Sequence, residues 1–263
     1  HLGVSTDIPR TRNSTMKITI AGYGFVGKAH EIFLETEHEI LVYDPPKEMN
    51  NFGEPEGVLI CVATPQSEDG SCYMGHVYEV IDLVKPEVPI LIKSTISLEG
   101  WKELKEKYPN HKISFSPEFL RQKTAILDVV QASNVLIGGD GETFWQNVFI
   151  TCKPGLSVLH FTPEELILNK YFRNSFLATK VAFFNQIYDL CEKLDIDYEN
   201  VRKALIMDER ISDSHTNITS ERGFGGHCFP KDTSAILKSA SNAGSKLSIL
   251  QEAVNYNKKV RKE

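Results

Sequence analysis

Apolar and polar positions alternate with two different periods along the chain, and the change of period is sharpest near the N-terminus. From Met16 an apolar run typical of a β-strand breaks into the turn GYGFVG, Gly22 to Gly27, and then resumes with helical spacing. A second apolar run, Glu39 to Tyr43, ends in Asp44. This pattern predicts a strand, a tight turn, a helix and a second strand.

The alternation between strand and helix patterns continues to about residue 160. The further apolar runs predicted as strands are Gly57 to Pro65, Val88 to Lys93 and Asn134 to Gly138. Strands that alternate with helical segments favour an α/β fold with a doubly wound, mainly parallel sheet. Ligands of such sheets bind beyond the carboxyl ends of the strands, so Thr64, Thr95 and Ser116 to Arg121 are predicted to share one rim.

Beyond Thr162 the pattern becomes that of one long helix. Thr162 and Glu165 flank a proline in a helix-start signal, and helical spacing continues to about Leu194. A helix of about thirty residues is about 45 Å long, so we expect it to leave one domain and support another. The predicted organisation is a Rossmann-like domain over residues 16–160, then the long central helix and a smaller all-helical domain within residues 161–263.

Composition narrows the class of protein. A net charge of −6, a pI near 5.8 and the lack of a basic stripe argue against nucleic-acid binding, and no apolar run reaches the length of a membrane span. Five scattered cysteines suit a reducing compartment, so a cytoplasmic location is predicted, with neither a disulfide framework nor a metal site. Residues 1–15 are interpreted as an expression remnant.

The glycine turn and Asp44 together predict a dinucleotide site. Gly22 permits the turn, Gly24 lets a pyrophosphate approach the backbone, and Gly27 lets the helix pack closely on the strand. Asp44 would bind the ribose hydroxyls and repel the extra phosphate of NADP, so the predicted cofactor is NAD. The predicted cofactor-binding residues are Gly22, Gly24, Phe25, Val26, Gly27, Asp44, Thr64 and Thr95.

The segment GFGGHCFPKD, Gly223 to Asp232, predicts a reactive thiol. Cys228 stands near His227 and Lys231, which favour a thiolate, although a structural cysteine beside a glycine turn has the same pattern. On the predicted long helix, Lys170 and Asn174 are four residues apart and share a face. This spacing suits a catalytic pair facing the nicotinamide, and equally a solvated lysine with an exposed amide.

Seven blocks in this order resemble the UDP-glucose 6-dehydrogenase family of the UDP-glucose/GDP-mannose dehydrogenase superfamily. They are GYGFVG with Asp44, CVATP, KST, SPEFLR, the long helix, DERI and GFGGHCFPKD. The resemblance covers the chain from Met16 onward. It implies NAD-dependent oxidation of the primary alcohol of a nucleotide sugar, foremost UDP-glucose to UDP-glucuronate, in two hydride transfers. It also implies a homodimer built on the central helix.

The resemblance further assigns roles to individual residues. Cys228 would hold the intermediate as a thiohemiacetal and then as a thioester, while Lys170 and Asn174 would stabilise the oxyanions. Arg210 matches an arginine that reaches the partner subunit. The implied substrate-binding residues are Phe119, Leu120, Arg121, Lys170, Asn174, Arg210, Phe224 and Gly225.

Three further catalytic residues are implied around the reacting water. Glu118 and Asp232 match two carboxylates of the family, and Thr95 matches a threonine that orients the water. Gln122 stands where the family commonly has a second glutamate in this loop, and an amide cannot take a proton. We therefore expect Glu118 to carry the base role there alone, and we expect Cys228, Asp232, Lys170 and Asn174 to converge on one pocket.

Two further departures leave the substrate open. Family members typically continue into a C-terminal domain that binds the UDP moiety, whereas this sequence stops at Glu263, so we expect that domain to be lacking. His227 gives the spelling GGHC, found in relatives that oxidise N-acetylated UDP-sugars, while FPKD points toward UDP-glucose or GDP-mannose.

Two other functions compete with this interpretation. A β-hydroxyacid dehydrogenase also combines a Rossmann domain with a lysine and an asparagine four apart on a long helix, but it transfers one hydride and needs no nucleophile. An inactive module that binds NAD or a nucleotide sugar is the second alternative. Dependence of turnover on Cys228 separates the first alternative from the double oxidation.

Overall fold

The computed structural model describes residues 15–68, 71–226 and 228–262. Of residues 1–15, interpreted as an expression remnant, only Thr15 is among the described residues. His227 also lies outside the described residues. Contacts between residues divide the chain into two units: unit 1 runs to Pro65 and resumes over Cys72–Lys170, and unit 2 contains Gln66–Ser71 and the chain from Tyr171 onward. This division concerns contacts only, and the domain boundary predicted near residue 160 stays a prediction.

The described part of unit 1 is built on an eight-stranded sheet in the order β3-β2-β1-β4-β5-β6-β7-β8. The strands are β1 Lys17–Ala21, β2 Glu39–Asp44, β3 Met49–Asn50, β4 Gly57–Ile60, β5 Ile90–Ile92, β6 Ile113–Phe115, β7 Asn134–Gly139 and β8 Ser157–His160. Neighbouring strands are parallel except for the pairs β2–β3 and β6–β7. The chain order reverses beside β1, which pairs with β2 on one edge and β4 on the other; ligands of open α/β sheets bind at such a reversal.

The described part of unit 1 also contains the helices α1 Phe25–Leu34, α2 Gly75–Ile81, α3 Leu98–Lys107, α4 Ala125–Gln131 and α5 Glu142–Cys152. Strands β4, β5 and β6 are buried along their whole length, which explains why the sequence of β4 is a continuous apolar run. The core includes Ile18 and Ile20 of β1, Leu59 of β4 and Trp145 of α5, all withdrawn from solvent.

The chain passes from unit 1 to unit 2 within α6, Pro163–Leu194, a helix of 32 residues that is about 48 Å long. Its start is a capping box: Thr162 N–H donates to Glu165 Oε2 at 2.8 Å, and Glu165 N–H donates to Thr162 Oγ1 at 3.2 Å. The sequence predicted both the start and the end of this helix.

Unit 2 continues with α7 Tyr198–Leu205, α8 Phe229–Asn242 and α9 Ser248–Val260. One cluster of its core packs Ala178 and Ala182 of α6 against Phe224, and a second contains Phe184, Cys191 and Tyr198. The described residues of unit 2 form helices and loops without a strand. The predicted fold class is confirmed: a Rossmann-like doubly wound sheet is followed by a long helix and smaller helical elements.

Candidate active site and cofactor site

The glycine turn links β1 to α1 at the reversal of the strand order. Gly22 has φ +95°, a conformation that L side chains rarely adopt, and a Cβ there would lie 2.5 Å from Val62 N. A Cβ on Gly27 would overlap the carbonyl oxygen of Gly22. A Cβ on Gly24 would meet nothing within 4 Å among the described residues, and no described side chain caps the start of α1. Free backbone N–H groups and open space at a helix N-terminus are what a pyrophosphate requires.

Asp44 at the end of β2 is fixed beside this turn. Its Oδ2 accepts a hydrogen bond from Tyr23 N–H at 2.7 Å and lies 3.1 Å from Lys47 Nζ. Lys47 also donates to the Tyr23 carbonyl at 2.5 Å. The carboxylate is thus tied to the glycine turn through the peptide of Tyr23, as the binding of a ribose next to a pyrophosphate requires.

Thr64 and Thr95 follow the carboxyl ends of two adjacent strands, β4 and β5, and contact each other. Thr64 Oγ1 donates to the Thr95 carbonyl at 2.6 Å, and Cys72 Sγ lies 3.2 Å from the same oxygen. Thr64 is buried, whereas Thr95 is partly exposed. The predicted rim therefore contains both threonines, with the Thr64 hydroxyl used to join the two strand ends.

Glu118 follows β6, and its side chain turns inward. Oε1 accepts hydrogen bonds from Phe119 N–H at 2.8 Å and Leu120 N–H at 3.1 Å. Oε2 lies 3.2 Å from Lys93 Nζ and 3.6 Å from His30 Nε2. Only 12% of the side chain is exposed. Burial by itself would raise the pKa of the Glu118 carboxyl, but Lys93, His30 and the Phe119 N–H together hold that pKa below its usual value.

Lys170 of α6 contacts the same loop. Its Nζ donates to the Glu118 carbonyl oxygen and lies 5.5 Å from the centroid of the Phe119 ring. The ammonium group thus binds the main chain of the loop that the sequence assigns to substrate binding. Lys170 is partly buried rather than a freely solvated lysine.

Asn174 and Asp232 form a buried polar pair of unit 2. Asn174 Nδ2 donates to Asp232 Oδ2 at 2.6 Å, and the two residues are 8% and 1% exposed. Asp232 Oδ1 is buried and accepts no hydrogen bond from the described residues; Lys231 Nζ lies 3.9 Å away. An exposed amide is therefore the wrong interpretation of Asn174. A buried carboxylate oxygen without a partner has a strong tendency to bind a proton donor.

Cys228 occupies the N-cap of α8 and is exposed. Asp232 follows one turn later, and its N–H donates to the Cys228 carbonyl at 2.8 Å. The partial positive charge at a helix N-terminus stabilises a nearby anion such as a thiolate. Of the five cysteines, which all lie among the described residues, Cys228 alone combines exposure with a helix start.

The loop before Cys228 is held by two asparagines that the sequence did not single out. Asn257 of α9 accepts from Phe224 N–H at 2.7 Å and donates to the Phe224 carbonyl at 2.9 Å. Asn185 of α6 accepts from Gly223 N–H at 3.0 Å. Phe224 itself is 4% exposed, and Gly225 lies against the Arg261 guanidinium. Paired bonds to one residue's N–H and carbonyl are visible only in three dimensions, so no sequence signal marked these asparagines.

The two arginines predicted to bind substrate lie on the surface with carboxylate partners. Arg121 is 76% exposed and holds Asp128 at 2.6 Å, and its N–H donates to the same side chain at 2.9 Å. Arg210 is 89% exposed and pairs with Asp208 at 2.5 Å. Gln122, next to Arg121, is also exposed. Both guanidinium groups are accessible to a ligand that competes with a neighbouring carboxylate.

The predicted catalytic residues fall into two groups. Thr95, Glu118 and Lys170 belong to unit 1, and Asn174, Cys228 and Asp232 belong to unit 2. Within each unit the structure joins Lys170 to Glu118, and Asn174 to Asp232. Convergence of all the residues on one pocket stays a prediction. Among the described residues no three His, Cys, Asp or Glu side chains are grouped to hold a metal ion.

The strand reversal, the glycine turn and the tethered Asp44 define a protein with a Rossmann-like NAD-binding domain. Two family models match the chain: the NAD binding domain of the UDP-glucose/GDP-mannose dehydrogenase family over residues 47–148, and the central domain of the same family over residues 165–259. The chain belongs to the UDP-glucose/GDP-mannose dehydrogenase family, and its cofactor is NAD.

Individual relatives agree with the family models. UDP-glucose 6-dehydrogenase from Rickettsia bellii is 33% identical over 238 residues, which are 84% of this chain and 53% of that protein. The chain thus spans about half the length of the curated relatives it matches.

The described part of the chain has no helix that is both long and apolar enough to cross a membrane.

Solved structures share the fold. A UDP-glucose dehydrogenase from Pyrobaculum islandicum superposes with a TM-score of 0.80 at 23% identity, covering 95% of this chain and 69% of that one. A 3-hydroxyisobutyrate dehydrogenase from Mycobacterium tuberculosis reaches a TM-score of 0.74 at 16% identity and covers 93% and 94%. Both comparisons establish the fold, which two chemically different kinds of dehydrogenase share.

Proposed function

We propose that this protein oxidises the primary alcohol of a nucleotide sugar, foremost UDP-glucose to UDP-glucuronate, by two hydride transfers to NAD⁺. The observation that carries the proposal is the start of α8, where the exposed Cys228 precedes by one turn the buried Asp232, paired to Asn174. A single oxidation of an alcohol needs no nucleophile. The second oxidation needs one, because an aldehyde must gain a fourth substituent before it can lose another hydride.

The chemistry on the protein side then has four steps. The alcohol loses a proton and a hydride and becomes an aldehyde, and the Cys228 thiolate adds to its carbonyl carbon to form a thiohemiacetal. Loss of a second hydride gives a thioester, and water cleaves the C–S bond to release the carboxylate and regenerate the thiol. The nicotinamide cofactor supplies one thing only, acceptance of the two hydrides.

The remaining side chains act on charge and water. Lys170 and Asn174 stabilise the oxyanions that form on the substrate, Thr95 orients the water, and Asp232 accepts its proton. Support for the last role comes from Asp232 Oδ1, which accepts no hydrogen bond from the described residues. The substrate-binding segments are Phe119 to Arg121, Phe224 with Gly225, and Arg210, and the dinucleotide is held by Gly22 to Gly27, Asp44, Thr64 and Thr95.

We further propose a cytoplasmic homodimer built on α6. Large apolar side chains on this helix are exposed: Phe176 by 69%, Phe183 by 59% and Leu190 by 56%. Their spacing of seven residues places them on one stripe, and stripes of this kind mark protein interfaces. Phe176→Ser with Phe183→Ser should give a monomer in analytical ultracentrifugation, and a dimer that persists would contradict the assignment to α6.

The single-hydride alternative keeps one argument in its favour. A 3-hydroxyisobutyrate dehydrogenase shares the fold, and the fold alone does not distinguish one hydride transfer from two. For that reason the test must separate the two chemistries rather than detect NADH alone.

The test is the ratio of NADH formed to substrate consumed. UDP-glucose, GDP-mannose and UDP-N-acetylmannosamine are supplied in turn with NAD⁺, and 3-hydroxyisobutyrate serves as the competing substrate. Two NADH per nucleotide sugar, with turnover lost in Cys228→Ser and retained in Cys152→Ser, is the expected result. One NADH per hydroxyacid, indifferent to Cys228, establishes the alternative, and no NADH with any substrate establishes a binding module.

A further inference from the structure

The chain before Cys228 passes through the left-handed region of backbone conformation, and it enters that region at a residue other than glycine. Arg222 has φ +59°, Gly223 has φ +57° and Gly226 has φ +79°. Glycine adopts such values freely, whereas an L side chain adopts them at a cost in free energy. A strained conformation of this kind persists where the surrounding contacts fix it. The contacts of Arg222 therefore identify what holds this loop.

The Arg222 side chain packs on one face of α6 and is only 17% exposed. Its Nε donates to Asn185 Oδ1 at 2.8 Å, and its Nη2 donates to Asp189 Oδ1 at 2.5 Å. The guanidinium carbon lies 4.6 Å from the centroid of the Tyr188 ring. We call these four side chains the arginine clamp. The clamp uses both the planar fork and the flat face of the guanidinium group, which the ammonium group of a lysine cannot supply.

Asp189 joins the arginine clamp to α9. Its Oδ2 accepts from Tyr256 Oη at 2.5 Å, while its Oδ1 accepts from Arg222. Burial alone would raise the pKa of the Asp189 carboxyl, but the hydrogen bonds from Tyr256 and Arg222 hold that pKa below its usual value. The carboxylate is therefore ionised at neutral pH, and this one charged group links α6, α9 and the start of the loop.

The arginine clamp extends to the main chain of the loop. The same Asn185 oxygen that accepts from Arg222 Nε also accepts from Gly223 N–H at 3.0 Å. The Arg222 carbonyl accepts from Arg261 Nη1 at 3.0 Å. The peptide unit that joins Arg222 to Gly223 therefore has a side-chain partner for its N–H and another for its carbonyl. Its orientation is set by α6 and by the residue that follows α9.

The next part of the loop depends on anchors at its ends. Three of the four residues over 223–226 are glycine, and glycine loses more conformational freedom on folding than any other residue. The exception, Phe224, is 4% exposed and lies edge-on to Phe229, with ring centroids 6.4 Å apart. Phe229 is the first residue of α8 and directly follows Cys228. Contacts thus run from α6 through the arginine clamp to the residue beside the thiol.

We propose that Arg222 and Asp189 are positioning residues, whose ion pair fixes the loop that leads to Cys228. They act through the backbone of Gly223 and Phe224 and need no contact with the substrate. The inference rests on the proposed function for its catalytic readout. A thiolate held out of position adds slowly to the aldehyde. The aldehyde then leaves after one hydride transfer, and the second NADH is not formed.

The test compares Arg222→Met with Arg202→Met. Arg202 of α7 is a matched control, since it is 12% exposed and pairs with Glu199 and Asp213, and among the described residues none of its hydrogen bonds goes to the loop. With a nucleotide sugar that the unaltered protein oxidises, Arg222→Met should lower kcat about 10- to 100-fold. It should also lower the yield from two NADH per sugar toward one, with the released aldehyde trapped by hydroxylamine. Arg202→Met should keep a yield of two.

Two further variants separate position from stability. Glycine adopts φ +59° without strain, so Arg222→Gly keeps the backbone bend while it removes the guanidinium group, and it should still lower the NADH yield. Asp189→Asn keeps an oxygen for Tyr256 but removes the charge, and it should lower the yield less than Arg222→Met does. A merely structural role would reduce the amount of active protein and leave the yield at two. A yield of two in both Arg222 variants, however slow the turnover, would overturn the proposal.

Amide hydrogen exchange tests the positioning role without turnover. The Gly223 N–H reports on the loop, and the Asp232 N–H, which donates to the Cys228 carbonyl at 2.8 Å, reports on the first turn of α8. Both should exchange at least about 10-fold faster in Arg222→Met, whereas the Val201 N–H of α7 should not change. If the unaltered protein forms no NADH from any nucleotide sugar, the proposed function fails and exchange still decides. Unchanged exchange at Asp232 would then overturn the positioning role.

Discussion

The two units each bury a carboxylate beside the residues assigned to catalysis, and the two carboxylates differ in how they are compensated. Glu118 has main-chain N–H groups on Oε1 and the Lys93 ammonium group 3.2 Å from Oε2, although neither Lys93 nor any other described group gives Oε2 a directed hydrogen bond. Asp232 accepts a hydrogen bond from Asn174 on Oδ2, its Oδ1 accepts none from the described residues, and Lys231 Nζ lies 3.9 Å away.

The two carboxylates thus differ in the number of N–H donors on the bonded oxygen and in the distance of the nearest ammonium group. A carboxylate whose charge is balanced by nearby groups fixes the conformation of the chain around it. Protonation of that carboxylate weakens the contacts that fix this conformation. A buried carboxylate oxygen without a partner costs free energy in the resting protein and is retained where a water or substrate supplies the missing bond. Position in a family motif assigns both residues to the reacting water, and each has one buried oxygen without a hydrogen bond from the described residues.

The largest effect is expected at Asp232. Asp232→Asn removes the proposed proton acceptor but keeps an oxygen for Asn174, so kcat should fall on the order of 100- to 10,000-fold. The free energy of unfolding should stay the same or rise, because a buried charge whose lysine partner is as far as 3.9 Å away is removed. Steady-state kinetics with urea unfolding measure both, and a variant that loses stability instead of turnover would reverse the comparison.

The cations beside the two carboxylates provide the second test. Lys93→Met should cost about 3–5 kcal/mol, since Glu118 is left buried without its counter-charge. Lys231→Met is the matched change beside Asp232, and at 3.9 Å it should cost less than about 1 kcal/mol. Equal losses by urea unfolding would show that the two carboxylates are compensated alike.

The third expectation concerns the dependence of the free energy of unfolding on pH. Unfolded His30 takes a proton below its ordinary pKa of 6.5, while the native residue, which faces Lys93 and Glu118, has a pKa of about 4. The unfolded state therefore binds more protons between these values, and stability falls by about 3 kcal/mol as the pH is lowered through this window. His30→Gln should flatten this slope and His76→Gln, on an exposed side chain, should not; an unchanged slope in His30→Gln would refute the assignment.

The smallest effect is expected in the loop before Cys228. Asn257→Leu leaves the Phe224 N–H and carbonyl without their side-chain partner and should cost about 2 kcal/mol. Asn255→Leu, on the same helix, should cost less than about 1 kcal/mol. Urea unfolding measures both, and equal losses would mean that the paired hydrogen bonds do not stabilise the loop.

The sequence predicted the elements with long or strongly periodic patterns. It predicted β1, β2, β4, β5, β7 and the whole of α6, because apolar runs and the capping box at Thr162 are local signals. It missed β3, β6 and β8. The strands β4 and β5 are equally short but consist of continuous apolar runs, whereas each missed strand contains a polar residue that interrupts the pattern.

The contacts at the candidate site that could not be predicted from the sequence also have a physical explanation. Glycine spacing and Asp44 are local, so the cofactor turn was predictable. The pairing of Asn174 with Asp232 joins residues 58 positions apart, and that of Asn257 with Phe224 joins residues 33 apart. Lys93 was part of a motif, but its role depends on the buried face it occupies, which spacing along the chain does not encode.

The most direct test of the account is peptide mass spectrometry after incubation with a nucleotide sugar and NAD⁺. In Asp232→Asn, hydrolysis of the thioester should become slow, so an acyl adduct should accumulate on Cys228, while the unaltered protein should accumulate little. No adduct on Cys228 in an Asp232→Asn variant that still forms NADH would contradict the account.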